Sequence, residues 1–499
     1  MRTLLIVAVA SVLVLLQAGA ALAETVRLTF VHVNDVYEIT PTQDGGGLAE
    51  LKTAVDSERA KSPNLIYSLG GDLLSPSLMS GSTKGAHMIS LMAGTGLDVA
   101  VLGNHEFDFG ADNLRERLAE SPFPWLASNV LDPDGSPVGT AVASWWREVG
   151  GVKVAFLGVL TEATGQLSSG AQGVQFTPAR DTAVRLATEL KRQGADVVVA
   201  LTHLNLDDDR ELARTSKDID LILGGHDHDA FAVREGGALI LKAGHDAQFL
   251  AIANLEVERG DGKTTVRPAD WRLVSTRGVV PDAKLAVEVA RWQQTLDADL
   301  GRRLTTVHGV LDSTQPGVRT AETTMGNLVA DSLRAALGAD VALINGGGLR
   351  ANRRYADGQA LTLGDLRREM PFNNVALLLD VSGAELLTAL ENGVSQAPQA
   401  AGRFPQASGL TLRYDPSKPA GQRVVSVTVA GRPLDTAARY RLATSDFLAD
   451  GGDGYTVLKT APRLINAEAA TLLVTLVADR LAANGDVTAA IDGRLDVVR

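Results

Sequence analysis

The sequence predicts an α/β protein of two parts, each built from a β-sheet structure covered by helices. Three observations support this fold class. Apolar runs of strand length alternate with helical patterns from Val26 to about Val280, which is typical of layered α/β folds. One long amphipathic pattern then covers Pro281 to Leu304, and a second alternation of helices and strands follows it. The length of 499 residues, with 45% hydrophobic and 21% charged residues, suits a folded protein of about two domains.

In the first part, strands are predicted wherever a short apolar run ends in glycine or a polar residue. The run Val26–Val33 alternates with period two, which is typical of a strand. Further strands are predicted at Asn64–Leu69, Asp98–Leu102, Trp125–Ser128, Val152–Val159, Asp196–Leu201 and Ile219–Leu223. Helical spacing predicts helices at Leu48–Arg59, Ala111–Ala119 and Ala179–Arg192.

The segment Pro281–Leu304 is predicted to be one helix that connects the two parts. Apolar residues recur along it at about four-residue spacing, at Leu285, Val289, Trp292, Leu296 and Leu300. The predicted organisation is therefore a first domain at 24–280, a connecting helix at 281–304 and a second domain at 305–499. Within the second domain we expect a helix at Thr324–Leu337 and strands at Val341–Ile344, Val375–Val381 and Val424–Val429.

The composition excludes several classes of site. The chain contains no cysteine, so disulfide bonds and cysteine-ligated zinc are both excluded, and its eight histidines must supply any nitrogen ligands. With 47 basic and 59 acidic residues the formal charge is −12. This charge argues against a nucleic acid polymer as partner, but it leaves room for a small phosphorylated ligand held by a local group of arginines.

Residues 1–23 have the pattern of a secretory signal peptide. Arg2 precedes an apolar stretch from Leu4 to Leu16, and Ala21-Leu22-Ala23 is a small-x-small cleavage sequence. The stretch is short for a membrane span, and no second stretch of spanning length follows. We therefore expect a mature protein that has no membrane anchor and is periplasmic or secreted.

Polar side chains with metal-binding chemistry follow five of the predicted strands in turn. Each strand ends in aspartate, asparagine or histidine, and these are Asp35, Asp72, Asn104 with His105, His203, and His226 with His228. A single aspartate at a strand end is usually a helix cap, so each position alone is a weak signal. Carboxylate, amide and imidazole groups together suit two neighbouring divalent ions. Such a pair clamps a phosphoryl oxygen and activates water.

This order of motifs resembles the calcineurin-like metallophosphoesterases. The chain carries GGDLLS, GNHEFD, TH and GGHDH in the order that this family uses. The resemblance implies a four-layer αββα domain that binds two divalent ions, with Mn, Zn, Co and Fe as candidates. It implies that Asp72 bridges the two ions, that the first ion is held by Asp35 and His228, and that the second is held by Asn104, His203 and His226.

The same resemblance implies catalytic roles for two further residues. His105 would stabilise the transition state and protonate the leaving oxygen rather than bind metal. Asp108, three residues later, would orient the His105 ring. A histidine–aspartate pair of this kind fixes the tautomer and supports the imidazolium form.

One position departs from the family pattern. Where the family has Asp-x-His, this chain has Asp35-Val36-Tyr37. A phenol ionises near pH 10, so it is a poor ligand unless a hard, highly charged ion such as Fe(III) binds it. Tyr37 could therefore ligate iron, water could fill the position, or the first ion could be held loosely. The sequence favours the loose or water-filled site.

The second part carries a separate group of candidate binding residues. Asn345-Gly-Gly-Gly-Leu-Arg350 follows a predicted strand, and Arg354 lies one helical turn later. Glycines let the backbone approach a ligand, and arginine binds phosphate or carboxylate. Phe404 and Phe447 each lie beside polar or glycine-rich residues, the latter close to Asp453. Two such rings could sandwich a planar base, although either could instead anchor its loop in the core.

These segments resemble the C-terminal domain of the exported 5'-nucleotidases and UDP-sugar hydrolases. By that resemblance Phe404 and Phe447 would stack the base, Asp453 would contact the nucleoside, and Arg350 and Arg354 would hold phosphate or carboxylate groups. Together the two resemblances imply a metal-dependent phosphoesterase, most simply one that hydrolyses nucleoside 5'-monophosphates. The alternatives are UDP-sugars, 2',3'-cyclic nucleotides or a non-nucleotide sugar phosphate as substrate, or a nucleotide-binding protein with degenerate activity.

Overall fold

The structure is a computed structural model that describes residues 24–167, 171–260, 263–315 and 317–498. The predicted signal peptide lies outside the described residues. Among the residues that the structure describes, no helical segment combines the length and hydrophobicity that a bilayer crossing requires. The predicted fold class is confirmed, because helices and strands alternate through both parts of the chain.

The first part of the chain contains two large sheets and the helices that cover them. Its strands are β1 (Glu24–Val33), β2 (Leu65–Leu69), β3 (Val99–Val101), β4 (Trp125–Leu126), β5 (Val130–Leu131), β6 (Ser144–Val149), β7 (Val152–Leu160), β8 (Gln175–Phe176), β9 (Val197–His203), β10 (Leu221–Gly224), β11 (Ala230–Glu235), β12 (Ala238–Ala243), β13 (Phe249–Gly260) and β14 (Lys263–Ser275). Its helices are α1 (Leu48–Lys61), α2 (Leu78–Thr83), α3 (Ala86–Thr95), α4 (Ala111–Glu120), α5 (Thr164–Leu167), α6 (Ala179–Arg192), α7 (Leu206–Thr215) and α8 (Ala283–Asp299).

Both large sheets have a block of parallel strands; the first has antiparallel strands at one edge and the second has one at each edge. In the first sheet the strand order is β14-β13-β1-β2-β3-β4, and in the second it is β11-β12-β10-β9-β7-β6. Strands β1 to β4 run parallel to one another, as do β7, β9, β10 and β12. Because parallel strands end at the same edge of a sheet, the residues that follow them are brought close together.

The sheets pack face to face and are covered by helices on their outer faces. Leu28 and Phe30 of β1 lie in the core between the sheets, while Val31 and Val33 belong to the core under α1 and α3. In β9, Val199 faces the first of these cores, and its neighbours face the core under α6 and α7. The strands are apolar on both faces because both faces are buried. The two sheets, with helices on the outer face of each, form the four αββα layers that the resemblance implied.

The helix predicted at Pro281–Leu304 is shorter in the structure. Helix α8 begins at Ala283, where Asp282 accepts hydrogen bonds from the N–H groups of Lys284 and Leu285, and it ends at Asp299. Arg303 and Leu304 already belong to a strand, so the prediction was wrong at its carboxyl end. Leu285 packs into the core of the first part.

The second part begins with that strand and forms smaller sheets around its own cores. Its strands are β15 (Arg303–His308), β16 (Leu311–Asp312), β17 (Val341–Asn345), β18 (Arg354–Tyr355), β19 (Ala360–Thr362), β20 (Ala376–Ser382), β21 (Pro405–Ser408), β22 (Leu410–Tyr414), β23 (Val424–Val429), β24 (Arg432–Pro433), β25 (Arg439–Ser445), β26 (Arg463–Ile465), β27 (Val487–Thr488) and β28 (Leu495–Val497). Its helices are α9 (Thr324–Ala336), α10 (Leu363–Glu369), α11 (Gly383–Val394), α12 (Asp446–Ala449) and α13 (Leu473–Asn484). These include a five-stranded sheet in the order β21-β17-β25-β20-β26. The glycine-rich loop follows the carboxyl end of its strand β17.

Candidate metal centre

Polar side chains from both large sheets meet where the parallel strands end. Asp35 follows β1, Asp72 follows β2, and His203 is the last residue of β9. One possible ligand atom from each of these three residues lies within 4.8 Å of the other two, and all three side chains are fully buried. Buried carboxylates without a compensating charge are costly, so this cluster is suited to hold a cation.

On one side of the cluster, three possible ligand atoms lie around the hydroxyl group of Tyr37. The Tyr37 hydroxyl lies 3.2 Å from Asp35 Oδ1, 3.2 Å from Asp72 Oδ2 and 3.0 Å from His228 Nε2. His228 Nε2 is 3.3 Å from Asp35 Oδ1. The side chain of Tyr37 therefore points into the cluster. The sequence had left three alternatives for this position: ligation by Tyr37, a water molecule, or a loosely held ion.

On the other side, Asp72 faces the second set of predicted ligands. His203 Nε2 lies 3.2 Å from Asp72 Oδ2 and 3.1 Å from Asn104 Oδ1. Its Nδ1 lies 2.7 Å from the Gly70 carbonyl oxygen. Because a carbonyl only accepts hydrogen bonds, this contact places a proton on Nδ1 and directs Nε2 into the cluster.

His226 completes this side with a free ring nitrogen. Its ring centre lies 5.0 Å from that of His203, and its buried Nδ1 has no hydrogen-bond partner in the described part of the chain. Burial, with a smaller effect from His203, lowers the pKa of His226 to about 3, so its ring is neutral. A neutral, buried and unpartnered imidazole nitrogen is an unusual arrangement unless it binds a metal. The donor set therefore fits divalent ions.

Four of the predicted ligands have a backbone conformation that side chains seldom adopt. The φ angles are 54° at Asp35, 57° at Asp72, 83° at His226 and 57° at His228. Left-handed residues other than glycine cost of order 1–3 kcal/mol each when the position is strained, and they cluster at functional sites. All four of these positions lie in loops that directly follow strands, and all four belong to the predicted ligand set.

Glu106 holds two of the ligand loops in place and had no role in the sequence prediction. Its buried carboxylate accepts hydrogen bonds from the N–H groups of Asp72, Leu73, Leu74 and Gly103, the first at 3.0 Å. Burial, followed by the charge of Asp72, raises the pKa of Glu106 to about 7. The signal in the sequence was its place next to His105, but only the fold shows what the carboxylate contacts.

Lys242 supports the loop that carries His226 and His228, and sequence reasoning missed it as well. Its fully buried ammonium group pairs with Asp209 at 2.9 Å and with Asp227, which lies between the two histidines. It also donates to the carbonyl oxygens of Leu204 and Gly225, at 2.6 and 2.8 Å. A lysine in the apolar run Ala238–Ala243 was the available signal, because a buried lysine is rare unless it is paired.

His105 lies beside the cluster with both ring nitrogens engaged. Nδ1 is 2.8 Å from Asp108 Oδ2, and Nε2 is 2.9 Å from the carbonyl oxygen of Glu468 in the second part of the chain. Burial alone would lower the pKa of His105, but the charges of Asp108 and Asp72 outweigh it and raise the pKa to about 10. Since both partners are acceptors, the contacts suit an imidazolium that donates from both nitrogens.

The candidate base-binding residues are only partly brought together. A pocket of about 390 Å³ in the second part is lined by Arg350, Phe447 and Asp453, with Asn345 and the glycines of the loop after β17. Asn345 donates to Asp453 Oδ2 at 2.7 Å. Phe447 is 43% exposed, so its ring is available to a ligand.

Two residues predicted for this pocket lie elsewhere. Phe404 is 1% exposed and packs edge-on against Tyr414 in the core, so the prediction that its ring stacks a base was wrong in this structure. The reason is that Phe404 leads directly into β21, whose residues are all buried. Arg354 lies in β18, away from the residues that line the pocket, and is paired with Asp312 at 2.7 Å.

Phe372 and Arg319 are pocket residues that the sequence prediction missed. Phe372 is 48% exposed and lines the same pocket as Phe447. Arg319 also lines it, and Arg350 lies with its guanidinium carbon 5.8 Å from the centre of the Phe372 ring. A phenylalanine followed by two asparagines was the available signal, because aromatic residues make up only 4% of the chain.

Two family models match the chain, one in each part. Residues 28–230 match the calcineurin-like phosphoesterase model, and residues 303–460 match the model of the 5'-nucleotidase C-terminal domain. The chain is 30% identical over 488 residues to a trifunctional nucleotide phosphoesterase of Bacillus subtilis. That match covers 87% of this chain, and the chain spans about a third of the length of that relative, 32%.

Two solved structures match the chain over nearly its whole length. A 5'-nucleotidase precursor from Thermus thermophilus is 28% identical, with a TM-score of 0.57, and the match covers 95% of this chain and 99% of that one. The NAD nucleotidase of Haemophilus influenzae is 19% identical, with a TM-score of 0.79 and the same coverage of both chains. The second of these similarities concerns the fold alone.

Proposed function

The chain belongs to the family in which a calcineurin-like phosphoesterase domain precedes a 5'-nucleotidase C-terminal domain, and on that premise we propose that it hydrolyses nucleoside 5'-monophosphates to nucleoside and phosphate. It is a hydrolase of phosphoric esters that acts on nucleotides. One observation carries the proposal. Asp72 Oδ2 lies 3.2 Å from the Tyr37 hydroxyl on one side and 3.2 Å from His203 on the other, so one oxygen faces both halves of a centre for two ions.

The family implies divalent ions, and we propose which residues hold them. Asp72 would be shared, Asp35 and His228 would complete one side, and Asn104, His203 and His226 would complete the other. Two ions bound there would polarise the phosphoryl group and allow water to act as a nucleophile at neutral pH. Glu106 and Lys242 would act on the loops that carry these ligands, because they contact the loops and not the centre.

We assign the acid role to His105. Its Nε2 points away from Asp108 and toward a neighbouring oxygen, the Glu468 carbonyl, 2.9 Å away. A substrate oxygen at this position would receive the same hydrogen bond and then the proton as the ester bond breaks. Asp108 would hold the ring and stabilise its charged form.

We propose that the nucleoside binds in the pocket of the second part. Phe372 and Phe447 would hold the base between their exposed rings, with Asp453 toward the ribose and with Arg350 and Arg319 toward anionic groups. Phe404 has no part in this proposal because its ring is buried. The proposed functional units are 24–280 for the metal centre and 305–499 for the base pocket, joined through 281–304.

The relatives support nucleotides over other esters, because one is named a nucleotide phosphoesterase and one a 5'-nucleotidase precursor. We also propose that the protein is exported, since residues 1–23 have the pattern of a signal peptide. A panel assay of phosphate release tests the substrate. AMP should be the best substrate among AMP, ADP, UDP-glucose, 2',3'-cyclic nucleotides and sugar phosphates, with Mn, Zn, Co, Mg and Fe supplied separately.

Removing either exposed ring should weaken binding of substrates that contain a base. Phe447→Ala and Phe372→Ala should each cost about 1–3 kcal/mol of stacking, which is roughly a 5- to 150-fold rise in KM for AMP. In p-nitrophenyl phosphate the ring is attached directly to the phosphate, with no ribose between them, so it should not reach the base pocket and its kinetic constants should change little. The measurement is steady-state kinetics of both variants on both substrates.

Phe404→Leu is the matched control, because it changes a phenylalanine that lies in the core. It should lower the melting temperature and leave the ratio of KM values for AMP and p-nitrophenyl phosphate as in the wild type. Equal losses on both substrates in Phe447→Ala would make that ring structural. No loss on either substrate would point to a sugar phosphate or another ester without a base.

A further inference from the structure

One short turn of the second part lies against the metal centre of the first. Residues 466–470, here called the Glu468 turn, contain a single turn of 3-10 helix at Ala467–Ala469. The backbone carbonyl oxygen of Glu468 accepts a hydrogen bond from Asn104 Nδ2 at 3.2 Å and lies 2.9 Å from His105 Nε2. The match to the C-terminal family model ends at residue 460, before the turn begins. The turn therefore lies outside the region that the family match covers.

The Glu468 carbonyl oxygen stands where the leaving oxygen of a substrate would have to be. A general acid must lie about 2.6–3.2 Å from the oxygen that it protonates. Nδ1 of His105 is engaged by Asp108 at 2.8 Å, so Nε2 is the ring nitrogen that remains for a substrate. The peptide carbonyl of Glu468 already occupies the hydrogen-bonding position of Nε2. This contact therefore excludes an ester oxygen from the same place.

The turn is connected to the loop of the base pocket by backbone hydrogen bonds. Phe372 and Asn374 of this loop line the pocket. The Ala376 N–H donates to the carbonyl oxygen of Thr471 at 2.9 Å, and the Leu473 N–H donates to that of Asn374 at 2.9 Å. We therefore expect the pocket and the turn to move together relative to the metal centre. While the turn stays in place, a nucleotide in the pocket cannot put its ester oxygen at the acid.

Few contacts hold the turn in this place. Of residues 466–470 only Ala470 is buried, and the other four are partly exposed. Asn466 caps the turn, because its side-chain oxygen accepts a hydrogen bond from the Ala469 N–H at 3.2 Å. Two hydrogen bonds to the first part, from Asn104 and His105, correspond to a bias of roughly 10- to 100-fold toward the closed contact. A bound substrate can overcome a bias of this size.

We propose that the Glu468 turn is an autoinhibitory element, whose carbonyl oxygen occupies the place of the leaving oxygen until a substrate displaces it. The inference rests on the proposed function, because it takes His105 as the acid. Only molecules in which the turn has moved away bind an ester productively, so the apparent dissociation constant rises by the same factor for every substrate. Once the substrate is bound, the turn is already displaced. The turn therefore raises KM and leaves kcat unchanged.

Shortening the turn tests this inference by steady-state kinetics. Replacement of residues 466–469 by two glycines removes the contact with His105. The change should lower KM by about 10- to 100-fold for AMP and for p-nitrophenyl phosphate alike, while kcat stays as in the wild type. The equal effect on both substrates distinguishes it from loss of base stacking, which acts on AMP alone. KM values that stay the same or rise in a folded variant would overturn the inference.

Asn466→Ala is a milder change that keeps the length of the turn. It removes the cap and should lower both KM values by about 2- to 10-fold. Ser382→Ala is the matched control, because Ser382 caps α11 in the same part of the chain and accepts from the Glu385 N–H at 3.2 Å; its KM values should equal those of the wild type. Should the shortened turn prevent folding, unchanged KM values in Asn466→Ala would refute the inference.

Hydrogen exchange of the metal-loaded wild type gives a readout that does not depend on turnover. The backbone amides of residues 466–470 should exchange faster when adenosine and inorganic phosphate are bound together, because the turn has then left His105. Bound ligands usually slow exchange, so an increase confined to this segment is specific. Slower exchange there would show that the turn belongs to the ligand-bound site, and the autoinhibitory role would be wrong.

Failure of this inference can be told apart from failure of the proposed function. If AMP is hydrolysed and both turn variants keep the KM values of the wild type, the nucleotidase function stands and the autoinhibitory role fails. If the turn variants lower KM for p-nitrophenyl phosphate but no nucleotide in the panel is hydrolysed, the autoinhibitory role stands and the proposed substrate is wrong.

Discussion

Asp72→Ala is expected to abolish hydrolysis and to release metal from the protein. The substitution removes a carboxylate whose oxygen faces both sides of the centre, at 3.2 Å from Tyr37 and from His203. It also removes the acceptor of the His105 backbone N–H group, 2.9 Å from Asp72 Oδ1. Loss of several kcal/mol of charge stabilisation corresponds to a decrease in kcat/KM of at least about 10³-fold. His226→Ala should also lower activity and metal content, because it removes the unpartnered ring nitrogen.

The measurement combines kinetics with metal analysis of the purified variants. EDTA should abolish the activity of the wild type, and added divalent metal should restore that activity. Added metal should not restore activity to Asp72→Ala. Asp134→Ala is a suitable control, since this aspartate lies in an exposed turn far along the chain from the predicted ligands and accepts hydrogen bonds from Ser136. Full activity in Asp72→Ala would refute a centre built around this carboxylate.

His105→Asn is expected to lower kcat by about 10²–10⁴-fold while the metal content stays the same. The ring lies beside the centre, and its nitrogens contact Asp108 and the Glu468 carbonyl. Its loss should therefore affect proton transfer to the leaving oxygen more than metal binding. A good leaving group needs less protonation, so the decrease should be much smaller for p-nitrophenyl phosphate than for AMP.

This dependence on the leaving group separates an acid from a structural residue, which would affect both substrates alike. His308→Asn is the matched control, because its side chain is exposed and pairs with Asp486; it should behave as the wild type. Loss of a metal ion from His105→Asn would show that His105 is a ligand and that the assignment of roles at Asn104 and His105 is wrong.

The sequence predicted the layered fold because buried parallel strands are continuous apolar runs. Ala179–Arg192 and Val424–Val429 have the predicted bounds. The long antiparallel strands β13 and β14 were not predicted. One face of this hairpin is exposed and carries charged residues such as Glu256 and Arg267, which pair with each other at 3.0 Å. Strand β14 lacks the apolar run on which the prediction depended, whereas the buried apolar run at the start of β13 was missed.

The candidate metal ligands were found from their order at strand ends, but their geometry was not foreseeable. Asp and His adopt left-handed backbone more often than most residues, but which of them does so, as at Asp35 and His226, depends on the loops packed around them. The prediction that Phe404 stacks a base failed for a similar reason. A phenylalanine beside glycine and polar residues can face the core or a pocket, and only the path of the neighbouring strand decides between them.

The placement of the centre also bears on how the protein unfolds. Asp35, Asp72 and Asn104 come from the first sheet, while His203 and His226 come from the second. Ions shared by these side chains would fasten one sheet to the other, much as a covalent cross-link does. A ligand that binds only the native state adds about 2.7 kcal/mol of stability at a hundred times its dissociation constant. In a chain without disulfides, scarcity of metal would therefore limit the lifetime of the fold as well as turnover.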